Sequence, residues 1–236
     1  MKTYQDHLKS TSELKKDITR KPVLRSSAIF PFLLNNDLDT NILFLGYWLI
    51  KRNIKEVSIL ITIRSEKGII IKREIKTIDK IQAHKISLKK ILSKKLFKNL
   101  FIGSIELEVF SLQDLVYPYP AFVINFETKD SSSVVHTCGR LYNDLEDFKS
   151  NTQIKIPESG FDIIPNRGFL PFFSFVNGAS EIKAQNIRLQ LLNVDGEKLN
   201  KKIMLKKVLP YETKFIFFLN HNEKKFFKEK KGTVII

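Results

Sequence analysis

His136, Cys138 and Arg140 stand at alternate positions in Val134-Val135-His136-Thr137-Cys138-Gly139-Arg140, and Tyr142, Asn143, Asp144, Glu146 and Asp147 follow closely. On a β-strand, alternate residues project from one face. Three chemistries fit that set. An imidazole and a thiolate completed by a carboxylate are zinc-type ligands. A Cys–His pair two residues apart is the minimum for a thiol nucleophile with its base. An imidazole, a guanidinium and carboxylates together can hold a polar ligand such as a sugar or a carboxylate. The plain alternative is a buried His and Cys on a strand, with Arg140 paired to Asp144 or Asp147. It stands ahead of the three, because cysteine is among the most buried residue types and His-x-Cys is a short motif.

Among the chemical readings, ligand binding ranks above a metal centre and above covalent catalysis. Its candidate residues are His136, Arg140, Tyr142, Asn143, Asp144, Glu158, Asp162 and Arg167. The last three sit in short turn-like segments, Glu158-Ser159-Gly160-Phe161-Asp162 and Pro165-Asn166-Arg167-Gly168-Phe169. Their plain alternative is a solvated turn. Tyr117-Pro118-Tyr119-Pro120 is a further aromatic segment, read as an edge that packs on its neighbour rather than as a stacking platform. Dinucleotide, P-loop, zinc-protease, nucleophile-elbow and EF-hand signatures are all missing from the sequence. No catalytic residue, metal or cofactor is therefore assigned.

The elements that must position these residues read as strands. Residues 57–64 are rich in β-branched side chains, residues 65–68 read as a turn, and the stretch after them returns as the second half of a hairpin. Ile105-Glu106-Leu107-Glu108-Val109 alternates apolar and acidic residues, the mark of a half-exposed strand. Pro118 and Pro120 argue against a central strand there, and 121–126 is strand again. The first residues are polar, with short helical potential only.

An internal repeat organises the rest. Residues 30–36 resemble 172–178, 57–68 resemble 187–197, and 72–78 resemble 201–208. Lys94-Lys95-Leu96-Phe97-Lys98 matches Lys224-Lys225-Phe226-Phe227-Lys228, and the Gly103 strand matches the Gly232 strand. The expected fold is all-β: two tandem related β-sandwich units, the second incomplete at its C-terminus, after a short helical or disordered arm. The arm covers 1–26, the first unit 27–128, a polar connector 129–168 and the second unit 169–236. Because the second copy stops inside a strand, the sequence reads as a fragment, or as a chain whose open C-terminal strand self-associates.

Composition bounds the partners. The net charge is +15, but it comes from 32 Lys against only 8 Arg. Arg is the residue that grips phosphate and guanine in bidentate fashion. Nucleic acid is therefore disfavoured, although two lysine-rich tracts, 72–98 and 201–231, invite the idea. One cysteine excludes an internal disulfide and a four-cysteine zinc site. The longest apolar stretch, 42–50, is about half a membrane span, and the start does not resemble a signal peptide. A soluble cytoplasmic protein is expected.

The leading functional expectation is a non-catalytic binding or accessory module. It would hold a polar ligand or a protein partner at a cleft between the units, lined by 134–167. The alternatives are an enzyme or metal-dependent subunit using His136 and nearby acids, and a polyanion binder using the lysine faces.

Overall fold

Val57–Ser65 (β3) and Ile70–Ile78 (β4) pair antiparallel. Their turn is closed by two backbone bonds: Gly68 N–H donates to Ser65 O (2.9 Å) and Ser65 N–H donates to Ile69 O (2.8 Å). The turn needs a left-handed residue, and Gly68 supplies it with φ 81°. This hairpin belongs to the computed structural model of the protein, which describes Lys9 and residues 21–117, 120–137, 160–165, 171–228 and 230–236. The chain divides into two compact units, Met1–Leu141 and Tyr142–Ile236. Among the described residues no helix is long and apolar enough to cross a membrane.

The first unit adds β1 (Arg25–Leu34), β2 (Asp39–Leu45), β5 (Ala83–Ser87), β6 (Phe101–Phe110), β7 (Phe122–Glu127) and β8 (Ser132–Thr137), with short helices α1 (Tyr47–Arg52) and α2 (Leu88–Ile91). The strands form two antiparallel four-stranded sheets, β1-β6-β3-β4 and β5-β2-β7-β8. One apolar cluster joins them. Phe30, Phe32, Ile61 and Leu107 come from the first sheet, Ile42, Phe44, Phe122 and Ile124 from the second, and Trp48 from α1. Burying each such side chain contributes about 1.5–3 kcal/mol, so the two layers stabilise one another.

The second unit holds β9 (Gly160–Ile163), β10 (Phe172–Val176), β11 (Gln185–Leu192), β12 (Lys198–Leu205), β13 (Thr213–Phe217), α3 (His221–Phe227) and β14 (Gly232–Ile235). Its sheets are β12-β11-β14-β9 and β10-β13. Ile163, Leu189, Leu191, Phe218, Phe227 and Val234 form its core. The fold is all-β.

Read in chain order, β9-β14-β11-β12 has the connectivity of β1-β6-β3-β4, and β13-β10 has that of β5-β2. Local details agree. Gly196 N–H donates to Asn193 O (3.1 Å) and Asn193 N–H to Glu197 O (3.2 Å), as in the first hairpin, and Gly196 has φ 79°. The end of β2 is tied by Gly46 N–H to Gln82 O (3.1 Å), and the end of β10 by Asn177 N–H to Glu212 O (2.9 Å). One of the sequence matches is out of place. Residues 30–36 lie on and just after β1, whereas 172–178 lie on and just after β10, which has the connectivity of β2. Short apolar blocks recur on every strand, so similarity alone slipped by one strand there.

Further expectations change. β6 is not half-exposed: it is an inner strand, and Glu106 and Glu108 are only 4% and 7% exposed. Arg64 and Arg25 pair with them across the neighbouring strands, which is how a charged face is covered. The C-terminal strand is not open, because β14 pairs with β11 on one side and β9 on the other. The lysine tracts begin on β4 and β12, both edge strands. Lysine on an edge discourages pairing with foreign strands. Among the described residues the stretch 129–168 also contains strands, β8 pairing with β7 and β9 pairing with β14.

Candidate functional site

β2 reads Asp39-Thr40-Asn41-Ile42-Leu43-Phe44-Leu45. A run of consecutive apolar residues in an antiparallel sheet puts apolar side chains on both faces. Ile42 and Phe44 enter the core at 0% and 6% exposure, while Leu45 on the other face is 58% exposed. The register sets a row across that outer face. Leu43 is opposite Lys85 on β5 and Val123 on β7, and Val123 is opposite His136 on β8. At strand spacing, the row spans about 14 Å from Lys85 to His136.

This row is the floor of an open pocket of about 760 Å³. Leu45, Ala83 and Ala121 extend the floor, and α1 and the segment before β7 supply Tyr47, Lys51, Arg52, Tyr117 and Pro120. The wall is held rigidly. Tyr47 stacks on Trp48 at 4.3 Å between ring centres, and Trp48 meets Phe122 edge-on at 6.0 Å. The Arg52 guanidinium lies 5.3 Å from the Tyr117 ring centre, a cation–π contact. His84 stacks on Phe44 at 5.0 Å, and its Nε2 is 3.1 Å from Lys80 O, so that nitrogen carries the proton.

The electrostatics are one-sided. The described ionisable lining residues of basic type are Lys51, Arg52, His84, Lys85 and His136, and among the described residues neither Asp nor Glu lines the pocket. The Glu127 carboxylate accepts hydrogen bonds from the lining residue Lys85, through Nζ (2.8 Å), and from Asn41 Nδ2 (2.9 Å).

The residues singled out by sequence fare differently. His136 is on β8, exposed, with its strand-mate positions paired to β7. Asp162 is on β9 of the second unit, exposed, 2.6 Å from Lys231 Nζ and accepting from Thr233 Oγ1 at 2.8 Å. The hydrogen bond from Lys231, then that from Thr233, holds its carboxyl below the usual carboxylate range. That is a solvated charge pair, on a paired strand rather than in the turn expected for this segment. Arg140, Tyr142, Asn143, Asp144, Glu158 and Arg167 lie outside the described residues, as do Cys138 and Tyr119. Among the described residues no three His, Cys, Asp or Glu side chains gather into a metal-ligating group. Sequence reading missed Leu43, Leu45, Val123, Lys51 and Arg52. For Leu43 and Leu45 the signal was the unbroken apolar run on β2, which had served only to weigh a membrane span.

No protein-family model matches the chain, and no curated protein matches it.

Proposed function

We propose that the first unit is a non-catalytic binding module for an apolar molecule with an anionic end, such as a carboxylate. The observation that carries this is the pairing of an apolar floor with basic side chains, no Asp or Glu standing among the described lining residues. A pocket of this size suits a small molecule, since such sites span roughly 300–1,000 Å³ and are mostly apolar with a few placed polar groups. Leu43, Leu45 and Val123 offer the apolar part a surface. Lys51, Arg52, Lys85 and His136 offer donors at its margins, and charge-assisted hydrogen bonds are about twice as strong as neutral ones. The shared connectivity of the two units further supports descent from one duplicated β-sandwich, with the binding pocket elaborated on the first copy.

The test uses dodecanoate and dodecan-1-ol, which differ only in the head group. Trp48 is the single tryptophan and stacks on the lining residue Tyr47, so its fluorescence reports occupancy. Dodecanoate should bind saturably and at least about tenfold more tightly than the alcohol, the worth of one charge-assisted bond. Leu43→Glu should abolish the response. Equal affinity for both probes removes the anionic end from the proposal, and no response to either removes the pocket.

A further inference from the structure

Two segments distant in sequence expose aliphatic side chains at one end of the sheet β1-β6-β3-β4. The β3–β4 turn presents Ile69 and Ile70, with Ile69 65% exposed. The chain just before β6 presents Leu96 and Leu100, with Leu100 54% exposed. Sheet register puts these segments at the same end: Ser65, the last residue of β3, is opposite Gly103, and Leu100 directly precedes β6. Both segments are anchored. Phe97, the last residue of a 3₁₀ turn over Lys94–Phe97, is buried in the core. Lys72 Nζ on β4 donates to Ile91 O at 2.8 Å and ties the hairpin to the chain before that turn. Grouped at one sheet end, exposed aliphatic side chains mark a contact surface, where single ones would not.

Charge at the same place is the second, independent sign. Lys67, Lys90, Lys94, Lys95 and Lys98 are exposed, and among the described residues none of them forms an ion pair. Against these five lysines, residues 65–70 and 90–100 contain one acid, Glu66. The second unit supplies a contrast. Its equivalent turn carries Asp195 and Glu197, and Lys228, the counterpart of Lys98 in the sequence repeat, pairs with Asp195 at 2.8 Å. The same connectivity is thus built with the lysine compensated, so the fold does not require the uncompensated charge of the first unit.

We infer that this end of the first unit docks on an anionic lipid bilayer, with Ile69, Ile70, Leu96 and Leu100 entering the interface and the lysines resting among the headgroups. Aliphatic insertion and lysine attraction add together at such a surface. Lysine carries its charge on a long apolar stem and needs no fixed partner geometry, which suits a fluid array of headgroups. The cores of protein interfaces are depleted in lysine. Nucleic acid would call for Arg forks or stacked aromatic rings, and the aromatic residue of these segments, Phe97, is buried. None of the described lining residues of the pocket belongs to this surface, so the two readings stand or fall separately.

The test is flotation of the full chain with vesicles of phosphatidylcholine and phosphatidylserine mixed at about three to one, beside vesicles of phosphatidylcholine alone. The chain should float with the first and stay behind with the second. Ile69→Ser with Ile70→Ser should weaken the partition at least about tenfold, because both side chains leave the apolar layer. Lys94→Gln with Lys95→Gln and Lys98→Gln should weaken it about a hundredfold, at roughly fivefold for each charge lost. Ile81→Ser alters a comparably exposed residue beyond the opposite end of β4 and should change nothing. All the substituted side chains are exposed, and thermal unfolding checks that each variant keeps its fold. Failure of the unaltered chain to float overturns the inference. So does flotation that the paired isoleucine changes leave intact, since charge alone then holds the chain. A random DNA duplex that displaces the vesicles, and binds the isoleucine variant as well as the unaltered chain, assigns the lysines to nucleic acid and overturns it too.

Discussion

Arg64 Nη1 lies 2.7 Å from Glu106 Oε2, across the neighbouring strands β3 and β6, and the two side chains are 6% and 5% exposed. Two charges so covered are costly unless they stay together. Glu106→Ala leaves Arg64 without its carboxylate and should destabilise the protein by about 3–5 kcal/mol. The double change Arg64→Met with Glu106→Leu removes both charges and should recover most of that loss. Urea unfolding of the three chains checks it, and equal stability of the single and double variants would contradict the pairing.

The same carboxyl sets a pH dependence. Burial pushes Glu106 above its ordinary value of 4.5, and Arg64 opposes this without cancelling it. The folded chain thus keeps this proton to higher pH than the unfolded chain does. Its contribution to stability is complete below the unfolded value and is lost as pH rises through the folded one. The stability of the wild type relative to Glu106→Gln should therefore fall as pH rises above the ordinary value of 4.5. A difference that stays flat, or that rises, would show the sign to be wrong.

Gly103 and Gly232 should be equally intolerant of alanine. A Cβ on Gly103 would collide with Arg64 O and come within 2.8 Å of the Phe32 ring, and one on Gly232 would collide with the Phe227 ring and come within 2.8 Å of Leu192 O. In each case one obstacle is the backbone of the adjoining strand, which cannot move without breaking a sheet. Overpacking of this kind costs about 1–3 kcal/mol. Thermal unfolding of Gly103→Ala and Gly232→Ala, beside Gly178→Ala as a control with open space around it, measures the effect.

Helix α3 is fixed by its first residues. Asn220 Oδ1 accepts from the Asn222 and Glu223 amides, and Glu223 Oε2 accepts from Asn220 N–H at 2.7 Å. Glu223 Oε1 also receives Lys201 Nζ at 2.5 Å. Burial alone would raise the Glu223 carboxyl, but the hydrogen bonds from Lys201 and the backbone together hold it below its ordinary value of 4.5. Its stabilisation is then present above the unfolded value and lost as pH falls through the folded one. Asn220→Ala should cost about 1 kcal/mol at neutral pH. Glu223→Gln should destabilise at neutral pH, with the penalty shrinking on acidification below about pH 4. Urea titrations at two pH values distinguish this from a penalty independent of pH.

Local signals carried the hairpins well. Gly68 and Gly196 mark turns whose geometry only needs a few neighbouring residues, and the β-branched run of β3 leaves little choice of conformation. Signals that depend on distant partners carried less. The alternation in Ile105-Glu106-Leu107-Glu108 looks half-exposed, because nothing nearby announces that Arg25 and Arg64 will cover the acids. Leu43 and Val123 come together only through sheet register, and they are 80 residues apart by number. Of the predicted ligand residues, His136 reaches the pocket, and Asp162 instead pairs with Lys231 in the other unit. The cluster around Tyr142 and Asp144 lies outside the described residues.

The position of β6 has a consequence for synthesis. It closes its sheet between β1 and β3, with Arg25 opposite Phe110 at the far end. On the ribosome, β1 emerges first and waits for a neighbour that appears some 70 residues later. Until then the nascent chain exposes the apolar face of β1, with Phe30 and Phe32, to solvent or a chaperone. Long-range closure of this kind is slow and leaves intermediates prone to sticking. Translation stalled before β6 should yield chains that bind holdases, and stalls after it should yield chains that resist protease.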